Sequence, residues 1–284
     1  MKNIPYLLGV AMLCVLASCQ KEIDWRTPEK SPVDDGRVLS KYVELDTTLP
    51  SGKDTTNVYT FTYDNVHRIK RIYQVQSFNG IRTAEITTDF FYNGSETNPF
   101  KTIEVDKEAE TYVDTSFYTY SNGFVRSDSS VFYSLTGNEF LFAYVISFSV
   151  NGNSVFVKFK QSTVASSYED TATLTVTRQN GNIIKQQDSR NTINYSMDSK
   201  YDNKINPFYA IDIHYPIIYE HLFNAFNAQK NNLIERTAST TLTGVESHLI
   251  YTYSYRNDGY PLTVNMQDLR RPNDNRKGLF FYTK

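Results

Sequence analysis

The stretch FLFAYVISFSVNG, residues 140–152, decides the fold. Phe142, Tyr144, Ile146, Phe148 and Val150 recur at every second position, which places them on one face of an extended strand. The Asn151-Gly152 pair that follows tolerates positive φ and is the strongest short-range hairpin signal. The same writing recurs elsewhere. Tyr59, Phe61 and Tyr63 alternate with Thr60 and Thr62, Tyr251, Tyr253 and Tyr255 with Thr252, Ser254 and Arg256, and Leu174 and Val176 with Thr173, Thr175 and Thr177. Period-two alternation bounded by turn residues reads as half-buried antiparallel strands.

Asn-Gly pairs stand at Asn79-Gly80, Asn93-Gly94, Asn122-Gly123, Asn151-Gly152 and Asn180-Gly181, and the last four follow one another at intervals of 29 residues. Such a period holds two strands and two turns, a meander of long hairpins. From Thr55 onwards there is room for about 12–15 strands at that repeat, and open sheets of more than ~10 strands curl or split. The expected fold is therefore all-β: an antiparallel meander forming a closed or nearly closed barrel. One segment departs from the pattern. Ile218, Leu222, Ala225 and Phe226 fit a helical face, Pro216 suits a first helical position and Asn231-Asn232 a stop, which predicts one short helix near 216–229.

Composition agrees. The 284 residues are 40% hydrophobic and 21% charged, which excludes wholesale disorder, collagen and a helical membrane bundle. Aromatics are uneven in kind, 22 Tyr and 18 Phe against 1 Trp, as suits a pleated, half-buried surface. A net charge of -2 argues against a nucleic-acid partner.

The N-terminus carries an address. Lys2 precedes an apolar run, Tyr6 to Leu16, too short for a comfortable bilayer span. Leu16-Ala17-Ser18-Cys19 then matches the lipobox of bacterial lipoproteins, which implies a signal peptide over residues 1–18 and lipidation of Cys19. Cys14 lies inside that signal, so the mature chain keeps no cysteine for a disulfide, catalysis or a metal. Gln20-Lys21-Glu22-Ile23-Asp24 resembles the charged export signal of Bacteroidota-type surface lipoproteins, with Ile23 interrupting the acids. Residues 19–37, with Pro28, Pro32 and Gly36, read as a tether, and 38–284 as a single β domain.

The aromatic-x-aromatic-x-Tyr strands, the Tyr201-Asp202-Asn203-Lys204-Ile205-Asn206-Pro207-Phe208 segment and the Tyr255-Arg256-Asn257-Asp258-Gly259-Tyr260-Pro261 turn resemble a group of Bacteroidota lipoproteins of unknown function with a porin-like barrel fold. That resemblance implies a fold and no activity. A likeness to Tyr-Asp repeat proteins is confined to Tyr63-Asp64 and Tyr201-Asp202.

Chemistry-bearing motifs are sparse. The four histidines, His67, His214, His221 and His248, include no HExxH pattern; Asp212 with His214, and Glu220 with His221, are the nearest approach to a metal set. There is no Gly-x-Ser-x-Gly elbow, P-loop or dinucleotide fingerprint. Asp198, Asp202 and Asn203 read as a solvated loop rather than a cation site. Most Tyr and Phe are expected in the core, while an exposed aromatic face could stack on a sugar. The sequence thus predicts no catalytic residue, metal or cofactor and assigns no ligand-binding residue. It predicts a non-enzymatic outer-membrane lipoprotein, displayed at the cell surface and held to the membrane by its N-terminal anchor. Its partner would be a glycan, a surface protein or a lipid. Two other readings stand beside it. One is a periplasmic carrier or chaperone holding an apolar ligand inside a curved β-sheet, with the 216–229 helix as lid. The other is a membrane-embedded barrel, for which Phe280, Phe281 and Tyr282 come near the end but the chain finishes on Lys284.

Overall fold

The computed structural model describes residues 38–50, 54–107, 112–134, 139–188, 194–211, 213–218 and 229–283. The expected signal peptide, Cys19 and the expected tether lie outside the described residues. Sixteen strands follow one another: β1 (Val38–Asp46), β2 (Thr55–Tyr63), β3 (Ile69–Phe78), β4 (Ile81–Phe91), β5 (Lys101–Asp106), β6 (Tyr112–Ser121), β7 (Phe124–Ser134), β8 (Phe140–Asn151), β9 (Ser154–Thr163), β10 (Ser167–Gln179), β11 (Asn182–Asp188), β12 (Tyr195–Ile205), β13 (Asn231–Thr240), β14 (Gly244–Tyr255), β15 (Pro261–Asp268) and β16 (Arg271–Thr283). Each pairs antiparallel with the next, and β16 pairs back onto β1 from Val38↔Thr283 to Asp46↔Arg276, so the barrel is closed. Fifteen of these strands lie beyond Thr55, and β1 supplies the sixteenth.

The 29-residue period is a structural one. The pairs at 93, 122, 151 and 180 fall between β4 and β5, β6 and β7, β8 and β9, and β10 and β11, all at one rim. Asn122 (φ 51) with Gly123 (φ 78), and Asn180 (φ 53) with Gly181 (φ 82), have the left-handed pair of a type I′ loop. At β8–β9 the loop is shifted by one: Asn151 pairs with Ser154, so Gly152 (φ 57) takes the first central position, as in type II′. Asn93-Gly94 sits in the longer connection 92–100.

A second device repeats at the same rim and employs five tyrosines. The Oη of Tyr63 donates to the Leu39 carbonyl at 2.7 Å, Tyr92 to Ile69 at 2.7 Å and Tyr120 to Pro99 at 2.8 Å. Tyr201 does the same to Ile183 at 3.0 Å and Tyr282 to Pro261 at 2.9 Å. In each case a Tyr at the end of an even-numbered strand ties down the start of the strand before it. Each latch contributes about 1 kcal/mol and holds the hairpin's open end together.

The same rim is stoppered. The connection from β12 to β13 turns inward, and Phe208, fully buried, meets Tyr42 edge-on at 5.3 Å, Phe280 at 5.8 Å and Phe61 at 6.4 Å. It then crosses the lumen. The Val125 amide donates to the His214 carbonyl at 2.8 Å, Tyr215 stacks edge-on against Phe148 at 5.7 Å, and the Ile218 amide donates to Gln186 Oε1 at 2.7 Å. A sixteen-stranded barrel is wide enough for an aqueous channel; here this segment and the inward aromatics fill that half. The helix expected near 216–229 is not found in its described part. Pro216 to Ile218 is bent chain, held by Arg178, whose guanidinium donates to the Pro216 carbonyl, and residues 219–228 lie outside the described residues.

The wall is not uniform. Over β9–β10 the inner face is apolar, with Val155, Ala172, Leu174 and Val176 buried; over β11–β13 it is mixed, Ile183 and Leu233 beside Gln186, Asp188, Ser199 and Arg236. The outer face of this sector carries Lys158, Lys160, Glu169, Lys185, Asp198, Lys200 and Glu235, with ion pairs Lys158–Glu169 at 2.7 Å and Lys200–Glu235 at 2.8 Å. Over β5–β7 the sense partly reverses, while β8 keeps Ile146 and Phe148 buried inside. Thr102, Asp106, Asp114, Ser116, Asp128 and Ser130 are buried inside. Outside, three registered rows run across the strands: Lys101, Phe117, Ser129, Val145 and Lys160; Ile103, Thr115, Val131 and Ala143; and Val105, Val113, Tyr133 and Phe140.

Candidate functional site

The stopper leaves the other half of the lumen open. A cavity of about 410 Å³ lies there between β1–β3 and β12–β16. That is within the ~300–1,000 Å³ of small-molecule sites. Its inner end is aromatic, with Tyr42, Tyr59 and Tyr251 all buried, and Met197, Leu249 and Met266 add apolar surface.

One wall is a polar network built from facing strands. Glu44 is buried at the end of β1, where Arg276 Nη1 reaches it at 3.3 Å and Asn57 Nδ2 donates to it at 2.8 Å. Gln74 Nε2 donates onward to Asn57 Oδ1 at 3.2 Å and to Tyr59 Oη at 3.0 Å. Arg276 also pairs with Asp274 at 3.3 Å, and the two carboxylates hold its guanidinium above its ordinary pKa, against the opposing effect of burial. Burial, then the Glu44 charge, pushes the Tyr59 hydroxyl up, so it stays a neutral donor. Arg236, buried on β13, and Tyr195 face this wall across the cavity. Gly278 makes the arrangement fit: a Cβ there would overlap the Tyr42 ring and Val264. This lining of hydroxyls, amides, carboxylates and guanidinia over an aromatic floor suits a polar, multiply hydroxylated small molecule. It differs from the apolar interior a lipid carrier would need.

Under β5–β8 lies a second polar cluster, closed from the cavity's charged wall. Ser116 Oγ donates to Asp114 at 3.3 Å and lies 2.5 Å from Ser130 Oγ; Ser130 donates to Asp128 at 3.2 Å. The stopper's Tyr215 donates to the other Asp128 oxygen at 2.8 Å, and Thr88 to Glu104 at 3.1 Å. Burial, with Glu104 and Asp128 beside it, pushes the Asp114 carboxyl up to about 7; burial likewise raises Glu104. These carboxyls are tied to strand hydroxyls and to the stopper, and work as internal fastenings. A larger groove, about 680 Å³, opens where β11 and β12 part. Its strand edge is already satisfied, since Ile183 donates to Gln229 Oε1 at 2.7 Å and accepts from Tyr201.

The residues singled out in the sequence do not converge. His67 sits in the β2–β3 turn at positive φ, and the His214 ring packs on Tyr209 at 4.5 Å. His248 Nε2 lies 3.0 Å from Glu235 on the outer wall. Asp212, Glu220 and His221 lie outside the described residues. Among the described residues no three His, Cys, Asp or Glu side chains are grouped to hold a metal. Asp198 and Asp202 point apart: Asp198 faces Lys185 outside, while Asp202 accepts from Tyr255, Asn232 and the Lys204 amide. The cavity residues were invisible as a set, because Glu44, Asn57, Arg236 and Arg276 come from strands up to 232 positions apart.

No protein-family model matches the sequence, and no curated protein matches it. Solved structures do. A porin-like protein from Bacteroides vulgatus ATCC 8482 superposes with a TM-score of 0.54 at 11% identity, over 87% of this chain and 98% of that one. The fold is similar to that of a porin-like protein. A second porin-like protein, from Bacteroides uniformis ATCC 8492, gives a TM-score of 0.48 at 15% identity, over 86% of this chain and 98% of that one. The porin-like likeness is one of backbone path. The stoppered lumen and the charged outer wall of β9–β13 are features of this chain's own side chains.

Proposed function

We propose that this chain is a lipid-anchored, non-catalytic binding protein of the outer membrane, displayed at the cell surface, which takes a small polyhydroxylated ligand such as a glycan end into the open half of its lumen. The observation that carries the reading is the cavity itself: an open-mouthed space with an aromatic floor and a prepaired Arg276–Glu44–Asn57 wall, opposite the rim where Phe208 turns inward. Aromatic faces stack on the apolar faces of sugars while fixed donors and acceptors meet the hydroxyls. The lipobox at Cys19 and the porin-like fold support an envelope setting. The polar lining favours such a ligand over the apolar cargo of a periplasmic carrier.

Calorimetric titration with a panel of oligosaccharides tests the site, using the wild type and an Arg276→Leu variant. One-to-one binding weakened at least about tenfold by the substitution is expected. Absence of binding across the panel, or equal binding by the variant, overturns the reading. Proteinase shaving of intact cells tests display: the protein is cleaved while a periplasmic control survives.

A further inference from the structure

The outer face of β5–β8 breaks the rule followed by the wall of β9–β13. Phe117 is 47% exposed, Leu141 42% and Val145 38%, and they are surrounded by Val113, Val131 and Tyr133 on neighbouring strands. Isolated exposed hydrophobics are ordinary, but a contiguous registered patch marks an interaction surface. Beneath it the inward positions of β5–β7 include Thr102, Asp114, Ser116 and Ser130, with Tyr118 of β6 and Ile146 of β8 beside them. An apolar outer face over inward hydroxyls and carboxyls, as β5–β7 has, is the alternation of barrel strands that face lipid.

We propose that this face lies against a lipid surface at headgroup depth. Three observations select lipid as the occupant. The row through Phe117 and Val145 begins on Lys101 and ends on Lys160, so an apolar stripe is bracketed by lysines that can reach up to phosphates while their stems cover apolar surface. Thr115 and Ser129 interrupt the patch, which suits the headgroup boundary rather than the acyl core. The chain between the predicted lipid on Cys19 and Val38 can also reach: its 18 intervening residues span at most about 60 Å, against about 43 Å for a 13-residue strand such as β16. The barrel can therefore lie on its side with this face down, its open rim directed along the membrane.

The barrel closes on itself through β1 and β16 and contains its whole core, so the chain from Gln20 onward, which carries no lipid, is the material to test. This separates the proposal from the lipidation of Cys19, on which only the choice of occupant leans. The probe is flotation with phosphatidylethanolamine–phosphatidylglycerol vesicles. Expected is co-flotation of the unlipidated chain, reduced at least about tenfold in a Phe117→Ser, Leu141→Ser, Val145→Ser variant whose thermal unfolding is unchanged. As a second readout, a Phe117→Trp chain carrying Trp25→Phe shows a blue shift of its emission on adding vesicles. Failure to float, flotation unaffected by the triple substitution, absence of a blue shift, or a dimer formed through the patch in place of vesicle binding overturns the proposal.

Discussion

Strands β5–β7 and β9–β10 are built from the same alternating code, yet they turn it opposite ways. In β10, Leu174 and Val176 are buried and Thr173 and Thr175 exposed; in β5–β7, Thr102, Asp114 and Ser130 are buried, while the apolar side chains Phe117 and Tyr133 stay exposed. A single-residue slip of register would exchange the faces of either sector, so the turns must hold them apart. At β6–β7 and β10–β11 they do so with the same left-handed Asn-Gly pair. The contrast shows that inside and outside are decided strand by strand, by what each wall has to meet. β9–β13 meets water, which tolerates Lys158, Lys185 and Lys200; in a bilayer midplane each such side chain would cost ~2–4 kcal/mol. β5–β8 holds its polar side chains inside on a network closed by Tyr215 of the stopper.

Three substitutions probe this contrast. The largest effect is expected from Val176→Asp, which puts a carboxylate into the apolar inner face of β10 where Val176 is 2% exposed. Urea unfolding should show a loss of more than about 3 kcal/mol, since the carboxylate is taken out of water into the packed core. Next comes Asp114→Asn in the opposite sector. A carboxyl raised to about 7 in the fold contributes stability that is complete below its ordinary pKa and lost as pH rises towards 7. The wild type should therefore be more stable near pH 4.5 than near pH 8, apart from other titrating groups. Asp114→Asn should flatten that slope and gain on the order of 1–3 kcal/mol at pH 8. Equal slopes in the two proteins would mean that Asp114 is charged at little cost. The smallest effect is expected from Thr173→Lys on the outer face of β10, within about 0.5 kcal/mol of wild type by thermal unfolding. A large loss there would show that this wall is covered by a partner.

Much of the architecture was legible along the chain. The alternation in 140–150 and the 29-residue spacing of Asn-Gly pairs hold strand type, hairpin order and the common rim, because turn chemistry and side-chain period are local properties. The tyrosine excess was legible as a β signal but not as latches: Tyr92 and the Ile69 carbonyl meet only once β3 and β4 are in register. The stopper was not legible, for a physical reason as well. Phe208, Ile211, Ile213 and Ile218 are apolar because they fill a lumen, and an apolar run destined for a core has no period that says which element it will be.

What the sequence determined by itself is the alphabet: antiparallel strands, where they turn, how many the chain can hold and the lipobox that precedes them. Tertiary structure alone decided closure, the half-filled lumen, the cavity wall of Glu44, Asn57 and Arg276, and the sector whose faces are reversed. Closure and packing depend on pairings as distant as Val38 with Thr283, and such contacts are set by the free energy of the whole barrel rather than by any window of residues.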